Sequence, residues 1–246
     1  MTSPTIPAMP HTSPAPSGDQ YVISHGDHRA TIVAVGAMVR EYTYQGKDVF
    51  VPFAADKPVP VFNAAILIPW PNRLSDGTYT ANGTDYQLPI TEPDRNNALH
   101  GLAARYRWDL VSHTDSAVAL ELALPAQPGW PFQLVSRVTY SLSDGGLTVD
   151  VATRNIGQGT APYGIGFHPW LSTGGADLDQ CTVRLDAATH VTVDDRLLPT
   201  GTVDVSGDKD LRVTRSLAGL DLDDAWIDPI RDADGLSWCT LGRPDG

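Results

Sequence analysis

Four separated stretches of the chain combine residue types that could exchange protons with a ligand and bind its hydroxyl groups. Each sets a histidine, an arginine or an aspartate beside a glycine, a proline or an aromatic residue. The stretches are IPWPNRLSDGTY with Asn72 and Arg73, NNALHGL with His100, PYGIGFHPW with His168 and Trp170, and GLDLDDAWID with Asp223 and Asp224. Imidazole exchanges protons near neutral pH, and guanidinium presents five donors in a rigid fork that suits neighbouring hydroxyls. Taken singly, each of these residues is better explained by a structural role.

Composition argues against several classes of partner. The formal net charge is −12, so the surface repels nucleic acid and anionic lipid. The most apolar segment, NAAILIPW at 63–70, is too short to span a bilayer and fits a buried strand. P-loop, GxGxxG, GxSxG and HExxH signatures are absent from the sequence, which disfavours nucleotide-driven chemistry, serine hydrolysis and zinc peptidase activity.

The cysteines and the N-terminal residues indicate a cytoplasmic protein. Cys181 and Cys239 stand alone, without a CxxC pair or a His/Cys cluster, so we expect reduced thiols and no metal site. Residues 1–20 are rich in Pro, Ser and Thr and lack the features of a secretory signal. We expect them to form a disordered tail, with residues 21–246 as one domain.

The pattern from residue 21 onward predicts an all-β fold. Short segments alternate or run apolar for the length of a strand, and they are rich in Val, Thr and Leu. They are 31–36, 49–53, 117–124, 133–142 and 146–155. Asn-Gly and Asp-Gly turns separate several of them, and no segment keeps a helical period for three turns. We therefore predict a large antiparallel β-sandwich.

The four stretches with candidate site residues occur in an order and context that resemble the aldose 1-epimerase (galactose mutarotase) family. The resemblance covers roughly residues 60–228. It rests on PNRLSDGTYTANGTDYQLPI, NNALHGL, PGWPFQLVSRVTYSLSDGGLTV, FHPWL and LDDAW, which occur in the family's order and at similar spacing. The resemblance implies a galactose mutarotase-like β-supersandwich that interconverts the α and β anomers of a free aldohexose. That reaction needs a proton donor and a proton acceptor but no cofactor.

The resemblance also implies roles for particular residues. His168 matches the general acid to the ring oxygen, and His100 matches the second histidine, which hydrogen-bonds the sugar near that oxygen. Substrate binding is implied for Asn72, for Arg73 through ring hydroxyls, for Asp223, and for Trp170 beside the sugar. Asp223 is favoured over Asp224 because the family's aspartate has an aromatic residue three positions later, here Trp226.

These roles would explain the surroundings of His168. Gly164 and Gly166 let the backbone approach a ligand closely, and Pro169 fixes the chain where it leaves the histidine. A structural role is expected instead for His11, His25, His28, His113 and His190.

The sequence departs from the family in the general base. Family members use a glutamate near the C-terminus, whereas the glutamates here are Glu41, Glu92 and Glu121, none of which can be matched to it. Either the chain lacks the family's C-terminal strands, or an aspartate replaces the base in a shortened fold. We favour the first reading, because an aspartate is one methylene shorter and would displace the base by roughly 1 Å. On that reading the 246-residue chain is weakly active or inactive.

Two other functions stay open. A hexose-6-phosphate 1-epimerase would need additional cations, which Arg95, Arg105 and Arg107 could supply near the His100 loop. A non-catalytic carbohydrate-binding protein would keep the pocket without the base. In each case the expected partner is a small-molecule sugar, and we expect a monomer or a weak homodimer.

Overall fold

The computed structural model describes residues 15–60 and 62–245, and these contain no α-helix. Four 3₁₀-helices of three residues each lie at Pro93–Arg95, Ala103–Arg105, Leu178–Gln180 and Gly207–Lys209. In chain order the strands are β1 (Gln20–His25), β2 (His28–Val33), β3 (Val39–Tyr44), β4 (Lys47–Asp48), β5 (Ile66–Leu67), β6 (Arg73–Ser75), β7 (Thr78–Ala81), β8 (Thr84–Gln87), β9 (Asn97–Leu99), β10 (Asp109–His113), β11 (Ala117–Leu124), β12 (Leu134–Ser143), β13 (Gly146–Asn155), β14 (Gly166–Phe167), β15 (Thr182–Leu185), β16 (Ala187–Val193), β17 (Pro199–Asp204), β18 (Arg215–Ser216), β19 (Ala225–Pro229) and β20 (Cys239–Gly242).

Two four-stranded antiparallel sheets form the main body. One has the order β1-β2-β3-β4 and the other β10-β11-β12-β13, so each sheet follows the chain through successive hairpins. The longest pairing joins β12 to β13, from Leu134 opposite Asn155 to Ser143 opposite Gly146. The predicted antiparallel β-sandwich is confirmed, and the predicted segments at 117–124 and 146–155 coincide with β11 and β13.

The two sheets share one hydrophobic core. Every second residue of β12 is buried, including Val138, Tyr140 and Leu142, because alternate side chains of a strand point to the same face. The Tyr140 hydroxyl lies inside this core and donates a hydrogen bond of 2.5 Å to the carbonyl of Ala37, between β2 and β3. Burial raises the pKa of Tyr140, so its hydroxyl keeps its proton. Trp108 and Trp130 are also buried in this core.

Smaller sheets carry the stretches with candidate site residues. β5 pairs with β14, β6 with β9, and β7 with β8. Two three-stranded sheets, β18-β15-β20 and β17-β16-β19, are formed by the part of the chain after residue 180. The candidate residues therefore come from short strands and the loops next to them, while the long hairpins build the core.

Some sequence-based expectations were wrong in detail. Residues 49–53 form no strand, and there Phe50 makes only an isolated bridge to Leu171. Most of the predicted tail, with His11, lies outside the described residues. Its last part is packed, because Ser17 is buried and β1 already begins at Gln20. In the ranges that the structure covers, no helix is long and apolar enough to cross a membrane.

The turn after His100 depends on a glycine. Gly101 has φ +71°, and a Cβ atom built on it would lie 2.3 Å from the carbonyl oxygen of Ile68. The same oxygen accepts hydrogen bonds from the backbone N–H groups of Leu102 and Ala103. The absence of a side chain at residue 101 therefore lets the His100 loop lie directly against β5 and the residues that follow it.

We expect Gly101→Ala to destabilise the fold more than Gly83→Ala. Gly83 has a similar φ of +75°, but a Cβ atom there would meet nothing within 4 Å. Gly83→Ala should cost only the left-handed backbone penalty of about 1–2 kcal/mol, whereas Gly101→Ala should cost an additional ~1–3 kcal/mol for the steric overlap. Urea unfolding of the two variants measures the difference. Equal losses of stability would contradict the close approach.

Candidate functional site

A cleft of about 500 Å³ is lined by residues from all four stretches that the sequence analysis singled out. Its lining consists of Phe62, Pro71, Asn72, Arg73, Glu92, Arg95, Leu99, His100, His168 and Asp223. Five of the six predicted site residues are in this set. The sixth, Trp170, is not, and its indole instead lies against His168. The volume is within the range of small-molecule pockets.

The pairing of β6 with β9 sets the position of His100. Arg73 lies opposite Leu99, so Asn72 and His100 meet just beyond the paired residues. The N–H of His100 donates to the carbonyl of Asn72 at 2.9 Å, and the N–H of Asn72 donates to Nδ1 of His100 at 3.0 Å. Both residues have φ +60°, a strained conformation that these reciprocal hydrogen bonds maintain.

β14 brings the second histidine to the same place. Phe167 pairs with Ile66, and the N–H of His168 donates to the carbonyl of Ala65 at 3.1 Å. The centroids of the His100 and His168 rings are 5.2 Å apart, with the ring planes at 76°. Nδ1 of His168 accepts a hydrogen bond of 3.2 Å from Nε1 of Trp170. The two imidazoles thus converge on one cleft.

Arg73 is held rigidly by an ion pair that sequence analysis missed. Its Nε donates to Oε2 of Glu92 at 2.9 Å and its Nη2 to Oε1 at 3.0 Å, a bidentate arrangement. The amide of Asn97, which is buried, donates to the same carboxylate at 2.9 Å. The Arg73 hydrogen bond lowers the pKa of Glu92 to about 2 against the opposing effect of burial. Glu92 is therefore ionised and engaged at neutral pH.

Arg196 supports this arrangement from outside the cleft. It lies between β16 and β17, and its guanidinium donates to the backbone carbonyls of Arg95 and Asn96, each at 2.9 Å. It also donates to the side-chain oxygen of Asn97 at 3.2 Å. A continuous set of hydrogen bonds thus runs from the β16–β17 turn through Asn97 and Glu92 to Arg73.

Asp223 and its neighbour Asp224 have different surroundings. Asp223 is exposed and lines the cleft. Asp224 forms an ion pair with Lys209 and lies 2.7 Å from Nε2 of His190. These contacts attach the residues before β19 to β16 and to the Gly207–Lys209 turn. Asp224 is therefore an anchor for the segment that carries Asp223.

His100 is uncharged at neutral pH. Burial, followed by the proximity of His168 and Arg73, lowers the pKa of His100 to about 4. Its Nδ1 already accepts the N–H of Asn72, so the neutral ring carries its proton on Nε2. His100 can therefore donate a hydrogen bond to a ligand oxygen.

The residues that sequence analysis missed carried weak signals. Glu92 is one of only three glutamates in the chain and lies eight positions before His100. Arg196 gave no signal, because its hydrogen bond to Asn97 joins parts of the chain far apart in sequence. Asn97 belongs to the NNALHGL stretch, but no role was predicted for it. His190 was expected to have an ordinary structural role, and its contact with Asp224 is of that kind. Within the described ranges, no three His, Cys, Asp or Glu side chains converge as a metal site would need.

Comparison with known proteins identifies the family. A family model described as aldose 1-epimerase matches residues 19–227. The uncharacterized protein YihR of Escherichia coli is 39% identical over 196 residues, which are 79% of this chain and 64% of YihR. Galactose mutarotase of Rattus norvegicus is 29% identical over 139 residues, which are 54% of this chain and 39% of that enzyme. The chain thus spans less than two thirds of the length of these relatives.

Solved structures agree on the fold. The GalM/aldose epimerase homologue from C. elegans superposes with a TM-score of 0.79 at 18% identity, covering 92% of this chain and 75% of that one. A galactose mutarotase-like protein from Clostridium acetobutylicum gives 0.80 at 20% identity, covering 91% and 74%. Together with the match over residues 19–227, these likenesses show that the chain belongs to the aldose 1-epimerase family and has a galactose mutarotase-like fold.

Proposed function

We propose that this cleft binds a free aldohexose and promotes interconversion of its anomers, with Asn72, Arg73 and Asp223 binding hydroxyls and His168 and His100 acting at the ring oxygen. The observation that supports it most is the convergence of two imidazoles, with ring centroids 5.2 Å apart, beside a fixed guanidinium. Two smaller cavities, of about 350 and 340 Å³, have mostly apolar linings. Only a polar ligand would use the donors and acceptors gathered in this one.

The role proposed for each side chain follows from the protons and hydrogen bonds that it can donate. Ring opening needs a proton donor at the ring oxygen and a proton acceptor at the anomeric hydroxyl. His168 would supply the first, and His100 would add a hydrogen bond from its Nε2–H. Arg73, fixed by Glu92, keeps Nη1 on the side of Asn72, where the two side chains could bridge neighbouring hydroxyls.

Among its described residues, the cleft lacks a good proton acceptor for the anomeric hydroxyl. Non-catalytic carbohydrate binding is therefore a second candidate function. The carboxylates that line the cleft are Glu92 and Asp223. Glu92 is ion-paired with Arg73 and has a pKa of about 2, so it is a poor base. Asp223 is available, but in the family its counterpart binds a hydroxyl. We therefore propose that the protein binds sugar well and catalyses weakly.

We expect α-D-galactose or α-D-glucose to bind and to change anomer slightly faster than it does spontaneously. Saturation-transfer NMR measures the binding, and polarimetry of freshly dissolved sugar measures the exchange. His168→Gln should return the rate to the spontaneous value, because it removes the donor at the ring oxygen. The control His113→Gln alters a histidine of β10 outside the cleft and should leave the rate unchanged.

Each outcome of that experiment decides between functions. Failure of both sugars to bind would overturn the proposal. Binding without accelerated exchange would establish the carbohydrate-binding function instead. Equal acceleration by the native chain and His168→Gln would show that His168 has no catalytic part.

The hexose-6-phosphate alternative receives less support. Of the three arginines that could serve it, only Arg95 lines the cleft. Arg107 is paired with Asp19, and Arg105 lines two other cavities. The cleft has two arginines, Arg73 and Arg95, and two carboxylates, Glu92 and Asp223, so its charges balance. A site for a dianionic phosphate would be expected to carry a positive excess.

Competition between free hexose and hexose 6-phosphate tests this charge argument. We expect the phosphate to bind no more tightly than the free sugar. Arg95→Gln should change neither affinity by more than about threefold, because Arg95 is partly exposed and already paired with Glu92. Arg105→Gln is the matched control. A phosphate that binds tenfold more tightly, and loses that advantage in Arg95→Gln only, would favour the hexose-6-phosphate function.

The uncharged state of His100 has a consequence for stability. Its folded pKa of about 4 is below the unfolded value of 6.5, so the unfolded chain binds a proton there first as the pH falls. The contribution of neutral His100 to the free energy of unfolding is fully present above pH 6.5. It is lost as the pH falls from 6.5 to 4.

We expect the stability difference between the native chain and His100→Gln to shrink by about 1–2 kcal/mol from pH 7 to 4, after allowing for the partial exposure of the ring. Urea unfolding at several pH values measures it, and comparing the two chains cancels the other titrating groups. A difference that stays constant with pH would contradict the neutral state of His100.

A further inference from the structure

We propose that Trp170 is a positioning residue, whose indole N–H fixes the tautomer of His168 so that Nε2 carries the ring proton and faces the substrate. This inference rests on the proposed function, since it says how the histidine is prepared for an acceptor oxygen of the sugar. It assigns to Trp170 a part different from the sugar contact that the family resemblance implies. The indole does not line the cleft.

The chemistry of the two side chains decides the direction of this hydrogen bond. An indole nitrogen can only donate, so Nδ1 of His168, at 3.2 Å from Nε1 of Trp170, must accept. In a neutral imidazole one nitrogen accepts and the other carries the proton. The proton of neutral His168 therefore resides on Nε2, which has no hydrogen-bond partner among the described residues.

A different donor fixes the tautomer of His100 in the same way. The backbone N–H of Asn72 occupies its Nδ1 at 3.0 Å, and its Nε2 likewise has no partner in the described part of the chain. The tautomer of His168 is thus fixed by the side chain of Trp170, two residues later. The tautomer of His100 is fixed by the backbone of Asn72, at the end of the β6–β9 pairing. The neutral pair presents two N–H donors to one cleft.

This arrangement restricts what the cleft can bind and do. Two imidazole donors select ligand groups that accept hydrogen bonds, such as a ring oxygen or a hydroxyl oxygen. Neither neutral ring offers a free lone pair, so neither can take the proton from the anomeric hydroxyl. Because Glu92 is engaged by Arg73, the proton acceptor within the described lining would have to be Asp223.

The substitution Trp170→Phe separates the role of the indole N–H from that of the aromatic ring. Trp170→Phe keeps an aromatic side chain but removes the donor. Trp238→Phe is the matched control, because Trp238 is exposed and donates to Asp232 outside the cleft. Long-range ¹H–¹⁵N NMR of the ligand-free protein reports which nitrogen of each histidine carries a proton, and His168→Gln identifies the His168 signals.

In the native chain we expect His168 to show a protonated Nε2 and an unprotonated, hydrogen-bonded Nδ1. Trp170→Phe should shift the Nδ1 signal of His168 and should weaken galactose binding by roughly tenfold, the weight of one positioned hydrogen bond. Trp238→Phe should change neither. A native His168 protonated on Nδ1, or a Trp170→Phe spectrum identical to the native one, would overturn the inference.

The native spectrum alone tests the tautomer, even if Trp170→Phe fails to fold. It also separates this inference from the function on which it rests. A fixed Nε2–H tautomer in a protein that binds no sugar would contradict the proposed function and leave the hydrogen bond established. Sugar binding with an unfixed tautomer would contradict only the role of Trp170.

Discussion

The short pairing of Arg73–Ser75 with Asn97–Leu99 is the constraint on which the candidate site depends. It sets Asn72 against His100, so that one pair of reciprocal hydrogen bonds fixes both the loop and the imidazole tautomer. It also brings Arg73 within reach of Glu92, which comes just before the second strand. The strained backbone at residues 72 and 100 persists because Gly101 permits the loop to lie against Ile68.

Around this pairing, the surrounding elements immobilise groups that would otherwise be flexible. The guanidinium of Arg73 is fixed by Glu92, and the carboxylate of Glu92 by Asn97. Trp170 occupies one nitrogen of His168, and Asp224 ties down the segment that presents Asp223. Groups held before the ligand arrives lose little freedom on binding, which favours affinity and an aligned reaction. The cleft combines this order with balanced charges, because its lining has two arginines and two carboxylates.

Local sequence pattern was sufficient for the fold class, whereas the candidate site residues were predicted from the resemblance to a family. The long apolar or alternating runs of β11 and β13 form strands at the predicted residues. β11 is largely buried, whereas the side chains of β13 alternate between half-buried and exposed. Residues 49–53 were mistaken for a strand because apolar content alone does not supply a partner strand. The resemblance to a family located His100, His168 and Arg73. It could not reveal Glu92 or Arg196, whose roles arise from contacts between distant segments.

The most direct measurement of the central claim is an NMR titration of ¹⁵N-histidine-labelled protein with galactose. If the cleft is a sugar site, the Nε2–H signals of both His100 and His168 will move together and saturate at one affinity, while those of His25 and His113 stay in place. Signals that do not move, or that move only for histidines outside the cleft, would contradict the account.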